Sequence, residues 1–255
     1  MSTTPTPPVV LSIAGTDSGG AAGLAADLAT FAALGVHGAC VVTAVTAQDT
    51  TGVRAIHAIP LEVVAAQLEA VLDDLPVAVV KTGMLADPAV VRLVAERCAR
   101  LPLVVDPVLI ATSGAALAGD EVVRAYRDHL LPRATVVTPN GVETEALGPA
   151  LTGRGIVVVR TGSETGRDVL RQPGHPPYTF AHQVVATEND HGTGCTFSAA
   201  LAAHLAHGRP LGDAVALAGE FTAGQLRLGS TWDLGRGRGP IAHTTSTTTQ
   251  EEPDE

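Results

Sequence analysis

The sequence predicts an α/β fold with a mainly parallel central sheet and helices on both of its faces. Short Val- and Ile-rich runs alternate with longer segments whose apolar residues recur at helical spacing, which is the pattern of βαβ units. Hydrophobic residues make up 45% of the chain and aromatic residues only 3%, so we expect an aliphatic core. Polar and Gly-rich residues follow the strands, at the sheet edge where open α/β folds bind ligands.

The strands are expected where apolar runs are short and β-branched: Val9–Ala14, Ala39–Val45, Val77–Lys81, Leu103–Val105, Thr135–Thr138 and Ile156–Val159. The helices are expected where apolar residues recur every three or four positions: Leu24–Leu34, Pro60–Leu75, Pro88–Arg100, Asp120–Leu131, Val142–Leu147, Gly194–His207 and Leu211–Leu228. Leu170–Val185 contains three prolines and is typical of edge strands or loop.

We expect a single domain over residues 9–232, flanked by disordered tails at 1–8 and 233–255. A chain of 255 residues is within the range of single α/β domains. The first tail is rich in Thr and Pro, and from Gly235 onward Gly, Arg, Thr and acidic residues replace apolar ones.

Charge and composition exclude several classes of partner. A net charge of −10 without a Lys/Arg cluster argues against nucleic acid and anionic membranes. No run approaches the about 18 apolar residues of a membrane helix, and the start lacks the features of a signal peptide. The three cysteines are too few and scattered for a disulfide framework. These features favour a cytoplasmic protein with a small-molecule partner.

The sharpest motif is the Gly-rich turn His191–Ser198, which opens into an Ala-rich helix. Such a turn presents several backbone N–H groups at the positive end of a helix dipole, which suits a phosphoryl group. The alternative is an ordinary turn before a helix. Cys195 lies where the helix terminus would depress a thiol pKa, although a buried, inert cysteine is the other interpretation.

Phosphoryl transfer in this chain would need a phosphate cradle other than the P-loop, because no G-x-x-x-x-G-K-[ST] motif is present. Such chemistry also needs carboxylates for Mg²⁺. Asp106 and Glu143 are candidates for this role. Alternatively, Asp106 is a turn carboxylate before Pro107, and Glu143 is an acidic residue in the first turn of a helix.

Taken in order, these motifs resemble those of the hydroxymethylpyrimidine/phosphomethylpyrimidine kinases of thiamine biosynthesis, a family with the three-layer αβα ribokinase-like fold. The resemblance extends over roughly residues 9–228. It rests on eight groups of residues: Ala14–Asp17, Ala26–Leu28, Thr43–Gln48, Lys81 with Gly83–Leu85, Asp106–Val108, Ser113–Gly114, Thr138–Asn140 with Glu143, and His191–Cys195.

The resemblance implies a kinase that uses ATP and Mg²⁺ to phosphorylate the hydroxymethyl group of an aminopyrimidine and then the resulting monophosphate. It implies that Gln48 contacts the pyrimidine edge, because a neutral amide offers both donors and an acceptor. The remaining substrate residues that it implies are Gly15, Asp27, Met84 and Val108.

The resemblance also implies the catalytic and cofactor residues. Cys195 occupies the position of the catalytic base, and the preceding residues form an anion hole: Gly192, Thr193 and Gly194. Asp106 and Glu143 would organise Mg²⁺. The residues that would face the ATP phosphates are Thr138, Asn140 and Arg160, with Arg160 standing where the family usually has Lys.

Three departures from the family pattern leave alternatives open. Ala21 replaces a loop glycine, Thr112 replaces a lysine, and Pro139–Gly155 is shorter than the usual crossover. A pyridoxal-type kinase is one alternative, although Gln48 favours a pyrimidine. A non-catalytic pyrimidine-binding protein is the other. The family pattern makes a homodimer the expected assembly.

Overall fold

The structure is a computed structural model that describes residues 5–110, 117–151, 156–160 and 166–244. The strands in these ranges are β1 (Val9–Ala14), β2 (His37–Val42), β3 (Ala44–Asp49), β4 (Gly52–Ala58), β5 (Val77–Thr82), β6 (Leu103–Val105), β7 (Val136–Val137), β8 (Ile156–Arg160), β9 (Arg167–Arg171) and β10 (Tyr178–Ala181). The α-helices are α1 (Gly23–Ala33), α2 (Leu61–Asp74), α3 (Pro88–Arg97), α4 (Asp120–Ala125), α5 (Gly141–Leu147), α6 (Thr193–Ala206) and α7 (Leu211–Gly229).

The central sheet has eight strands in the order β2-β1-β5-β6-β7-β8-β9-β10. Six neighbouring strands of this sheet are parallel: β2, β1, β5, β6, β7 and β8. At the other edge, β9 runs antiparallel to β8, and β10 runs antiparallel to β9. This confirms the predicted α/β fold with a mainly parallel sheet. Because the parallel strands end at the same edge, the turns that follow β1, β5, β6 and β7 are brought together there.

The sheet separates two apolar layers. Side chains of β1 alternate between them: Leu11 and Ile13 face the layer that includes α2, α3 and α4, whereas Val10 faces α1, α6 and α7. Small residues dominate α6, and its segment from Phe197 to Ala203 is fully buried. This helix therefore lies deep in the second layer, which fixes its N-terminus beside the end of β1.

The strands β3 and β4 form a separate antiparallel sheet, which differs from the single strand predicted over Ala39–Val45. The strand β2 ends at Val42, and Thr43 anchors the chain between two strand ends. Its N–H donates to the Ala14 carbonyl at 3.0 Å, and its hydroxyl donates to the Met84 carbonyl at 2.6 Å. The chain turns at this anchor, and the hairpin carries Gln48 toward the sheet edge.

Residues 235–242, which we call the C-terminal strap, correct the prediction of disorder from residue 233. The strap packs against the body of the protein up to Ile241 and Ala242, both fully buried. The His191 N–H donates to the Gly239 carbonyl, and the Ile241 N–H donates to the His191 carbonyl. Residues 245–255 lie outside the described part of the chain, as do residues 1–4 of the other predicted tail.

Within the described ranges, every helix is too short or too polar to span a lipid bilayer.

Candidate active site

A cavity of about 360 Å³ opens at the carboxyl ends of the parallel strands. The turns after β1, β5, β6 and β7 form one side, and the N-terminus of α6 and the β3–β4 hairpin form the others. The predicted site residues that line it are Gly15, Gln48, Met84, Asp106, Val108, Thr138, Asn140, Glu143, Gly192, Thr193, Gly194 and Cys195. The structure thus brings most of the predicted set to one cavity.

Gly15 and Met84 form a tight contact in the wall of the cavity. A Cβ atom at Gly15 would lie 2.5 Å from the Met84 Cε atom, so a side chain at residue 15 would displace the methionine. Met84 is itself nearly buried, and Val108 also lines the cavity. These groups form an apolar part of the cavity wall, and the Gln48 amide adds a polar group to the lining.

Asp27 was predicted to contact the substrate, but it does not line the cavity. It points into the protein interior, where both of its carboxylate oxygens lie 2.8 Å from Lys81 Nζ. The Ser12 hydroxyl donates to the same carboxylate at 2.5 Å. Asp27 and Lys81 are both fully buried. The Asp27 carboxylate therefore points toward Lys81 and away from the cavity lining.

The turn that begins α6 has a backbone that only glycine fits. Gly192 has a φ of +93°, and a Cβ atom there would lie 1.8 Å from the Ala21 carbonyl oxygen. The turn then places Thr193, Gly194 and Cys195 at the cavity, at the positive end of a 14-residue helix. This geometry suits an anionic ligand.

Cys195 has a raised pKa, in contrast to the depressed value expected at a helix N-terminus. Burial raises the pKa of the thiol to about 12, and the carboxylates of Asp106 and Asp27 act in the same direction. The positive charge of Lys81 and the Gly23 N–H oppose them without prevailing. In this state the sulfur carries its proton at neutral pH.

Asp106 and Glu143 form a pair of nearly buried carboxyl groups at the cavity. Burial, and then the charge of Asp106, raises the pKa of Glu143 above its usual range. The Ser198 hydroxyl donates to Asp106 at 2.9 Å, and Lys81 Nζ lies 3.9 Å from the same oxygen. Two carboxyl groups whose charges disfavour each other fit a divalent cation that retains several water ligands, as Mg²⁺ does.

Two of the three residues predicted to face ATP line the cavity. Asn140 caps α5: its side chain accepts from the Glu143 N–H, and Glu143 accepts from the Asn140 N–H, both at 2.9 Å. The Thr138 hydroxyl is buried and has no hydrogen-bond partner among the described residues, which leaves it available to a ligand. The side chain of Arg160 and the whole of Thr112 lie outside the described residues.

His191 and Asp17 also line the cavity, although no individual role was predicted for either residue. His191 Nε2 lies 3.0 Å from Gln48 Nε2 and 3.2 Å from Asp17 Oδ2. Burial acts to raise the pKa of Asp17, but the bond to His191 and the backbone N–H groups of Gly19 and Ala22 lower it overall. His191 Nε2 therefore lies within hydrogen-bonding distance of both the Asp17 carboxylate and the Gln48 amide, which links the two side chains at the cavity.

Asp190 and Arg238 complete the lining. The Arg238 Nε donates to Asp190 Oδ1 at 2.8 Å, and its Nη2 contacts the other carboxylate oxygen. Asp190 precedes the α6 turn, whereas Arg238 lies in the C-terminal strap. The signal in the sequence was the run Gly235–Gly239, in which arginine alternates with glycine and whose composition is typical of a tail.

An anion-binding helix terminus, a carboxylate pair and an apolar ring-sized cavity meet on an α/β sheet, and together they define a small-molecule kinase with a ribokinase-like fold. The sequence model described as phosphomethylpyrimidine kinase matches residues 17–242. The chain is 42% identical to a hydroxymethylpyrimidine/phosphomethylpyrimidine kinase of Rhizobium meliloti, over 92% of this chain and 96% of that protein. This protein therefore belongs to the phosphomethylpyrimidine kinase family.

Two further comparisons extend this assignment. The chain is 40% identical to the thiamine biosynthesis bifunctional protein ThiED of Geobacter sulfurreducens, over 92% of this chain and 52% of that protein. Its fold superposes on the pyridoxal kinase of Staphylococcus aureus in complex with AMP-PCP and pyridoxal with a TM-score of 0.85 and 29% identity, covering 96% of each chain. The predictions of family, fold and kinase activity are confirmed.

Proposed function

We propose that this protein transfers the γ-phosphoryl group of ATP to 4-amino-5-hydroxymethyl-2-methylpyrimidine and then to its monophosphate, in thiamine biosynthesis. The observation that carries the proposal is that Gln48, Cys195 and the Asp106–Glu143 pair line one cavity. A ring-reading amide, a proton acceptor and a candidate Mg²⁺ site thus lie within reach of one small substrate. The family membership and the curated relatives support the same activity.

The substrate residues orient the ring. Gln48 faces the aminopyrimidine edge, while Gly15, Met84 and Val108 contact the ring through their small or apolar surfaces. His191, which also contacts Asp17, packs against the Gln48 amide and limits its movement at the cavity. This arrangement presents the hydroxymethyl group to the N-terminus of α6.

Cys195 accepts the proton of the attacking hydroxyl group at Sγ in its thiolate form, which the ligand-free site disfavours and which a cation bound by Asp106 and Glu143 would favour by offsetting their negative charge. The N–H groups of the α6 turn stabilise charge on the transferred phosphoryl group. Lys81 supports the thiolate, whereas the negative charges of Asp106 and Asp27 oppose it. Asp106 and Glu143 would hold Mg²⁺, which would supply positive charge against the phosphate oxygens. Asn140, Thr138 and Arg160 are the residues that we assign to the ATP phosphates.

A second candidate substrate is pyridoxal, because the Staphylococcus aureus structure with the same fold is a pyridoxal kinase in complex with pyridoxal. The family match and the higher identity to the Rhizobium meliloti protein favour the pyrimidine. Gln48→Ala is expected to weaken pyrimidine binding, because the ring then loses its amide partner. Comparing turnover of the two rings by wild type and by this variant separates the candidates.

We assign the protein to the cytoplasm and expect a homodimer. The β3–β4 hairpin supports a dimer, because it exposes a large hydrophobic residue on each of its two faces: Val45, which is 48% exposed, and Ile56, which is 43% exposed. Sedimentation equilibrium measures the assembly. A Val45→Asp/Ile56→Asp variant that sediments as the wild type would contradict a hairpin interface.

The test of function is mass-spectrometric product analysis after incubation with Mg-ATP and the hydroxymethylpyrimidine. Monophosphate followed by diphosphate is the expected result. Monophosphate alone would restrict the function to the first step. Absence of product alongside measurable pyrimidine binding would refute the kinase and favour a non-catalytic binding protein.

A further inference from the structure

We propose that Arg238 of the C-terminal strap is a specificity-determining residue that binds the phosphate of the monophosphorylated substrate. This inference rests on the proposed function and concerns its second step. The substrate of the first step is an uncharged alcohol, whereas the substrate of the second step carries a phosphate dianion. A positive group at the cavity therefore affects the two steps differently.

The charges around the cavity single out Arg238. Among the described residues that line it, the acids are Asp17, Asp106, Glu143 and Asp190, and Arg238 is the one lysine or arginine. Such a lining repels a phosphate monoester unless a cation offsets it. A guanidinium also has five N–H donors in a planar fork that matches two phosphate oxygens.

The neighbours of Arg238 aim it at the phosphoryl-binding end of the cavity. Its partner Asp190 is bound to the start of α6, because the Thr193 N–H donates to the Asp190 carbonyl at 3.2 Å. The guanidinium and the positive end of the α6 dipole thus border the same space. The Arg238 side chain is 54% exposed and that of Asp190 is 14% exposed, so the carboxylate is the more fixed member of the pair.

The strap is built to hold this position. The N–H groups of Arg236 and Gly237 donate to the Thr50 hydroxyl, both at 3.1 Å. A Cβ atom at Gly237 would lie 2.2 Å from the Thr50 carbonyl oxygen, and one at Gly239 would lie 2.0 Å from Asn189 Oδ1. The glycines on both sides of Arg238 therefore allow an approach that other residues would prevent. The strap is a fixed wall of the cavity.

Asp190 competes with the substrate phosphate for Arg238. In the absence of ligand, the carboxylate occupies Nε and Nη2 of the guanidinium. A phosphate dianion carries more charge than a carboxylate and draws the same fork toward the cavity. Removing the carboxylate should then strengthen phosphate binding, whereas removing the guanidinium should weaken it. These opposite signs distinguish ligand recognition from a structural role.

The experiment is isothermal titration calorimetry of the full chain with the hydroxymethylpyrimidine and, separately, with its monophosphate. The quantity compared is the ratio of the two Kd values. In Arg238→Gln the preference for the monophosphate should fall about tenfold, as expected for loss of a charge-assisted hydrogen-bonded pair at a partly exposed site. Arg238→Lys should retain part of it, and Asp190→Asn should raise it.

Arg236→Gln is the matched control, because Arg236 lies two residues away on the same strap and does not line the main cavity. It should leave the ratio unchanged. An unchanged ratio in Arg238→Gln, or changes of the same sign in Arg238→Gln and Asp190→Asn, would overturn the inference and leave the kinase function intact. Wild-type protein that binds neither ligand would contradict the proposed function itself, and with it this inference.

Discussion

The buried pair of Lys81 and Asp27 is expected to be a major determinant of stability. Both side chains are fully buried, and Lys81 Nζ lies 2.8 Å from each Asp27 oxygen. Lys81→Met removes the cation and leaves a buried carboxylate with Ser12 as its remaining hydrogen-bond donor among the contacts above. Breaking a buried ion pair from one side costs about 3–5 kcal/mol of unfolding free energy.

The raised pKa of Lys81 is the change expected for a strong ion pair with Asp27. Burial alone acts to lower it, but the charges of Asp27, Cys195 and Asp106 together raise it above its usual value. The stabilisation therefore persists below the ordinary lysine pKa and is lost only as pH rises through the higher folded value. At neutral pH the whole contribution is present.

The assay is urea and thermal unfolding monitored by circular dichroism at pH 7. At about 2–4 °C per kcal/mol for a chain of this size, the expected cost lowers Tm by roughly 6–20 °C. Asp27→Leu/Lys81→Met should recover much of the loss, because no unpaired charge remains. Arg97→Gln is the control, since it breaks a pair with Glu69 at 2.6 Å that is half exposed and contributes at most about 1 kcal/mol. A Lys81→Met protein within about 1 kcal/mol of wild type would refute the reasoning.

Three further predictions concern the site. Cys195→Ala should lower kcat about 100-fold or more with a smaller change in KM, because a proton acceptor is lost; steady-state kinetics measure both, and a fully active variant would mean that the thiol only fills space. Gly192→Ala should lose about 1–3 kcal/mol of stability and bind nucleotide poorly, because its backbone has a positive φ and its Cβ atom would meet a carbonyl; unchanged denaturation and nucleotide titrations would contradict this. The pKa of Asp17 is lowered because its hydrogen bonds to His191 and to backbone N–H groups outweigh burial. Its contribution to stability is therefore present above pH 3.8 and is lost as pH falls through the folded pKa. Urea midpoints between pH 6 and 3 should fall less steeply in Asp17→Asn than in wild type, and parallel pH profiles would argue against the contact.

The order of helices and strands could be predicted because it depends on local hydrophobic pattern. Five of the six predicted strands are present, and the sixth, predicted over Ala39–Val45, is divided between β2 and β3. The α6 turn was predicted from its glycines. Chain geometry brings the strand ends to one edge, and the resemblance to the kinase family supplied the roles of the individual residues there. Gln48 reaches the same cavity from the β3–β4 hairpin, and Cys195 reaches it from the start of α6.

The parts that were not predicted depend on distant partners. The sequence indicates only that Asp27 is a polar residue on a helix. Its inward direction depends on the ion pair with Lys81, which lies 54 residues further along the chain. The composition of the strap is typical of a disordered tail, but hydrogen bonds to Thr50 and His191 hold it against the rest of the protein. The raised Cys195 pKa likewise comes from burial in the folded protein and, to a smaller extent, from the carboxylates of Asp106 and Asp27 on other elements. The local amino-acid composition does not indicate such long-range contacts.

The strap has a consequence for synthesis of the protein on the ribosome. Arg238 and its neighbours are translated after every other described segment that lines the cavity. The strap contributes no residue to either apolar layer, and the helices of those layers end at Gly229. A chain cut short near residue 232 would therefore keep both apolar layers and lack one wall of its binding site.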